Sequence, residues 1–156
     1  MSQVNAKIVA NYFLSLSKPN TVESITNLKL QKLLYYVQGF NLAINNTVLF
    51  SEKIEAWAHG PVVPDVYREF KGFGYKDIVI EEDYDFSELT TEQKKIIRDV
   101  WEVFKFYDGK ELEKLSHSES PWKDARVGLA EYDSSNAIIS ADSIKEYFVS
   151  EYMISE

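Results

Sequence analysis

The side chains in this sequence best suited to chemistry are its two histidines and the residues set beside them. His117 precedes Ser118-Glu119-Ser120, which places an imidazole, a carboxylate and hydroxyls within one turn of chain. Such an inventory would suit a small hydrolase using His117 and Glu119, provided the ring came within hydrogen-bond reach of the carboxylate or of a substrate. Residues two apart in a turn seldom orient that way unaided. His59 precedes Gly60-Pro61 and has no acidic neighbour in its own turn. Two distant histidines lack the i,i+4 spacing of a zinc-binding helix, and the chain has no cysteine to add thiolates. A nucleophile elbow, a phosphate-cradling glycine loop and a dinucleotide fingerprint are all missing from the sequence. These residues therefore imply no catalytic group, no metal and no cofactor. A structural role suits both rings better, with one nitrogen tying a loop to a carbonyl and the other facing water or a carboxylate.

The elements that must position these side chains read as mainly helical. Val4, Ile8, Val9, Tyr12, Phe13 and Leu16 share one face of a first helix, which Ser17-Lys18-Pro19 stops. A second helix should start after Thr26 or Asn27 and end at Asn45-Asn46. It is apolar nearly all round, the mark of a central element buried on several sides. Alternation over Leu49 to Trp57 predicts a short strand, and Gly60-Pro61 a turn leading to a helix opened by Pro64. Asp77 to Glu81 reads as a second strand. Thr90-Thr-Glu-Gln93 has capping-box form and should open a strong helix that Asp108-Gly109 terminates. A short helix from Lys110 to Leu115 and an N-cap at Ser120 before Pro121 follow. Ala137 to Ile139 suggests a third strand, and Ser140 caps a last helix carrying Ile144, Tyr147, Phe148 and Tyr152. The expected fold is α+β and predominantly helical, a single compact domain over residues 1–156 with a small two- or three-stranded sheet.

Charge and composition narrow the partners. The chain of 156 residues carries a net charge of −8, with Glu81-Glu82-Asp83, Asp85 and Glu88 in one acidic run. Nucleic-acid binding needs clustered Lys and Arg to displace counterions, so this balance argues against it. An acidic surface would instead steer a basic partner inward. Lack of cysteine fits a reducing cytoplasm, and no apolar run approaches the ~20 residues of a membrane span.

Aromatic residues supply the remaining signal. Trp57, Trp122, Tyr35, Tyr36 and Tyr67 sit at helical or strand spacing, which usually means core. Trp, Tyr and Arg are also the residues that anchor protein partners, and as a set these suggest an exposed aromatic face. Pro61 and Pro64 flank Val62-Val63 and stiffen the entry to the Tyr67-Arg68 helix, which lowers the entropy lost on association.

At these residues the sequence resembles the Panacea antitoxin-domain family, the SocA-like antitoxins. The resemblance is carried by Leu28 to Tyr36, including Leu30, Gln31 and Lys32, with Gln38-Gly39 after it. It continues through Leu49-Phe50, Ile54 to Trp57, Gly60-Pro61-Val62 and Pro64 to Phe70, then Leu115, His117, Glu119 and Pro121-Trp122-Lys123. Ser116 stands where threonine is expected, keeping the hydroxyl. The resemblance implies a bacterial or prophage protein of the cytoplasm that neutralises a protein toxin from an adjacent gene by direct contact. Alternatively it implies an adaptor that delivers the toxin to a cytosolic AAA+ protease. Neither role needs catalysis. The partner-facing region expected from it is Trp57, His59 to Val62 and His117 to Trp122, with Tyr35, Tyr36, Tyr67 and Arg68 nearby.

Overall fold

Thr26 starts the helix around which the other elements assemble. Its hydroxyl accepts the Lys29 amide at 3.2 Å, satisfying one orphan donor of the first turn, and its carbonyl accepts the Leu30 amide as the first intrahelical bond. The helix, α2 (Asn27–Asn45), ends when Asn46 adopts the left-handed conformation at φ 60° and returns its N–H to the Leu42 carbonyl. Fourteen of its residues are buried, around the whole circumference. Each fully buried leucine among them (Leu30, Leu33, Leu34) contributes about 1.5–3 kcal/mol of transfer free energy.

The computed structural model describes residues 3–153. Around α2 stand α1 (Ala6–Leu16), α3 (Pro64–Phe70), α4 (Thr91–Phe104), α5 (Gly109–His117), α6 (Ser120–Ala125) and α7 (Ala141–Tyr152), of which α6 reaches the core through α5 and α7. A single turn of 3-10 helix, Lys71–Phe73, extends α3. Gly39 lets α7 close on α2, since a Cβ there would lie 2.4 Å from the Phe148 ring. Tyr36 stacks on Phe104 at 4.5 Å and Tyr35 meets Phe148 edge-on at 5.5 Å, an aromatic seam joining α2, α4 and α7. No helix among the described residues is long and apolar enough to cross a membrane.

A small antiparallel sheet of β1 (Ile54–Trp57), β2 (Gly60–Val62) and β3 (Ile138–Ile139) lies in the order β2-β1-β3, completing a helix-rich α+β domain. The register pairs Trp57 with Gly60 and Glu55 with Val62, so Ala58 and His59 form the two-residue turn. Gly60-Pro61 is therefore the start of the return strand and not the turn that its composition suggests. Pro61 is tolerated because Ala56↔Pro61 is the pair that exchanges no backbone bonds, so the missing N–H points away from β1.

Four other expectations are corrected. Val4 forms a parallel bridge with Phe50 and precedes α1, whose first turn is capped by the Asn5 side chain on the Ile8 amide. Asp77 to Glu81 makes only a bridge to Thr26 and one bond from Ile78 to Ile25, because the partner chain turns into α2 at once. α4 has the expected capping box, but it stops at Phe104, and Asp108 opens α5 in a second capping box with Glu111. Glu119, not Ser120, is the N-cap of α6, and its carboxylate turns inward instead of capping.

Candidate functional site

The hairpin of β1 and β2 is bolted to α2 by a buried lysine. Lys32 has no exposed surface and donates from Nζ to the Pro61 carbonyl at 3.2 Å. Gly60 makes this approach possible: it sits at φ +111°, and a Cβ on it would fall 2.3 Å from Lys32 Cε. Burial pushes the Lys32 ammonium down to about 7 despite the opposing attraction of Glu113. The preceding residue, Gln31, accepts the Val63 amide at 2.9 Å and donates to Asn27 one helical turn back, whose amide reaches the Tyr67 carbonyl. Three polar side chains of α2 thus satisfy the outer edge of β2 and the start of α3.

A second set of contacts ties the hairpin to α5 and α6. Trp122 donates its indole N–H to the Trp57 carbonyl at 2.8 Å, and the His117 ring stacks on it at 3.9 Å, nearly parallel. Burial lowers the His117 pKa, with Glu113 pulling the other way. His59 is exposed and its Nδ1 lies 3.1 Å from Glu113, which Lys110 also approaches. Arg126 lies over the Trp122 ring and donates to the carbonyls of Ala56, Ala130, Glu131 and Asp133, pinning the segment that leads to β3.

Glu119 is buried and accepts hydrogen bonds from Tyr35 at 2.9 Å and from Tyr152. Burial raises its pKa and the two phenols oppose the rise. Both oxygens are committed to tyrosines, so the His117–Glu119 acid–base pair drawn from the sequence does not assemble. His117 instead faces Glu131, 3.9 Å from Nδ1.

A cleft of about 1130 Å³ opens beside the hairpin, bordered by the start of α2, β1, α3, the first turn of α5 and residues 134–136. Gln31, Trp57, His59, Val62, Tyr67 and Arg68 line it, with the buried Lys32 behind the hairpin wall. Trp57 and Tyr67 meet edge-to-face at 5.0 Å on one wall, and the Trp57 indole donates to Glu55 at 2.8 Å. Arg68 extends outward and pairs with Asp65.

The structure brings together Trp57, His59, Gly60, Pro61, Val62, His117 and Trp122 in one knot, with Lys32 beneath it. It places Leu30, Tyr35, Tyr36, Glu119, Pro121 and Trp122 in the interior. Tyr35 is buried with its hydroxyl satisfied, because an acidic side chain is buried with it. Sequence reasoning passed over Glu113, Arg126, Asn27 and Tyr75. Of these only Glu113 carried a signal, standing one turn before His117 on a helix.

The match to the family model described as antitoxin SocA-like, Panacea domain, runs over residues 30–123, from α2 through the hairpin to α6. Antitoxin SocA of Caulobacter vibrioides (strain NA1000 / CB15N) is 42% identical over 76 residues, which are 49% of this chain and 40% of that protein. No solved structure matches. With more than half of its length matched, and with the knot and the cleft-forming hairpin inside the matched region, this chain belongs to the SocA-like, Panacea-domain antitoxin family.

Proposed function

We propose that this chain is an antitoxin that neutralises a protein toxin encoded beside it by binding the toxin directly. The observation that carries the reading is the family match over residues 30–123, the segment that builds the hairpin knot and most of the cleft wall. The chemistry of the site supports a binding role. Glu119 holds Tyr35 and Tyr152, Glu113 holds His59 and Lys110, and Lys32 holds Pro61, so these three ionisable groups are engaged in structure. A surface prepared in this way loses little entropy when a partner docks. The protein acts without catalysis, in the cytoplasm.

Coexpression with the adjacent gene tests the reading. The expected result is restored growth, together with copurification of the two proteins at stable toxin levels. Rescue with rapid loss of the toxin would mean delivery to a protease, and growth arrest undiminished by this chain would refute neutralisation.

A further inference from the structure

The cleft contains more charge than its net content suggests, and the charges are not equally engaged. Each exposed cation on its rim already has a carboxylate: Arg68 pairs with Asp65 at 3.1 Å, while Lys110 and His59 converge on Glu113 at 3.4 and 3.1 Å. Lys32 is sealed beneath the hairpin. The two wall carboxylates differ from these. Glu55 accepts only the neutral Trp57 indole N–H, and Asp108 accepts the Glu111 amide as a helix cap and acts at longer range on the Lys29 ammonium. Among the described residues neither forms an ion pair. Both border a cleft walled by the rings of Trp57 and Tyr67 and edged by Tyr75, which is 89% exposed. Aromatic faces beside carboxylates outside any ion pair attract a cation, the rings through their quadrupole and the acids through charge.

We infer that this cleft receives an arginine or lysine side chain of the toxin, held between the Trp57–Tyr67 wall and the carboxylates of Glu55 and Asp108. The inference rests on the neutraliser reading and specifies the chemistry of its partner. A chain of net charge −8 favours a basic partner at long range, and the cleft gives that attraction a place to end.

Two substitutions remove the charge and keep the scaffold. Glu55→Gln retains an acceptor for the indole, and Asp108→Asn retains a cap of equal quality. The purified adjacent-gene product, titrated into the wild-type chain and into the double variant, gives the readout. The expected result is unchanged thermal unfolding, toxin affinity weaker by about tenfold or more, and a salt dependence of binding shallower than wild type. Tyr75→Ala should weaken binding in the same direction with no effect on the fold. Equal affinity of wild type and double variant for the toxin overturns the inference and leaves the neutraliser reading intact. A wild-type chain that neither binds the toxin nor rescues growth overturns both. Spermidine serves as the small-cation control: if it binds in the cleft and loses affinity in the double variant while toxin affinity does not, the site is one for small amines and the inference fails.

Discussion

Replacing Lys32 by Met tests whether the hairpin is held by an amine whose protonation burial disfavours. The side chain is fully buried, its Cε packs on Gly60, and its pKa is pushed from 10.5 down to about 7. Above the folded pKa the native amine is neutral while the unfolded one still holds its proton. The unfolded state therefore binds more protons between the two values, and native stability rises with pH across that window. At about 1.36 kcal/mol per pH unit, and allowing for incomplete titration at the ends, stability should climb by roughly 2.5 kcal/mol from about pH 7.5 to about pH 9.5 through this group. Lys32→Met keeps most of the volume and abolishes that slope. It also strands the Pro61 carbonyl, an offset of about 1–3 kcal/mol that does not depend on pH. Urea unfolding followed by tryptophan fluorescence at several pH values gives both curves. The stability difference, wild type minus variant, should move in favour of wild type as pH rises. A difference flat across the window would mean that Lys32 titrates as an ordinary surface amine, and the account of the bolt would be wrong.

Other substitutions read the same architecture from different sides. Gly60→Ala combines a left-handed backbone with a Cβ 2.3 Å from Lys32 Cε, so it should cost about 2–5 kcal/mol and appear as a large drop in melting temperature. Glu119→Ala orphans the buried hydroxyl of Tyr35 and loosens Tyr152, with an expected cost of about 2–4 kcal/mol, whereas Glu119→Gln keeps an acceptor and should cost less than half as much. Trp122→Phe removes the bond to the Trp57 carbonyl while preserving an aromatic partner for His117, and chemical denaturation should register about 1–3 kcal/mol. Thr90→Ala breaks the capping box of α4 far from the cleft and should lower stability by about 1 kcal/mol with toxin binding unchanged.

Much of the scaffold was legible because it rests on local rules. Thr26, Thr90 and Ser140 announced their helices through hydroxyls placed ahead of apolar periodicity, and all three accept the expected amides. Where the reading failed, the deciding partner lay far along the chain. Gly60-Pro61 carries the composition of a turn, yet Lys32 fills the space that the missing Gly60 Cβ leaves and donates to the Pro61 carbonyl on the outer edge of the strand. Asp77 to Glu81 has the composition of a strand but finds only one residue of neighbouring backbone to pair with.

The site follows the same division. The motif-bearing residues of α2, the hairpin and α6 were visible as a set, while the distinction between those that hold the fold and those that border the cleft was not. Tyr35 and Tyr67 are chemically alike, and what separates them is Glu119, 84 residues from Tyr35, which makes dry burial of a phenol tolerable. A buried acid among tyrosines and a buried lysine under a glycine are long-range pairings, and no periodicity encodes them. Each costs desolvation that only its own partner offsets, so each fixes one arrangement of helices and hairpin and disfavours others. Among the described residues that fixed arrangement leaves Glu55 and Asp108 outside any ion pair. Carboxylates are paired inside the knot and stand outside ion pairs beside it, which is the asymmetry that the proposed docking of a partner's basic residue requires.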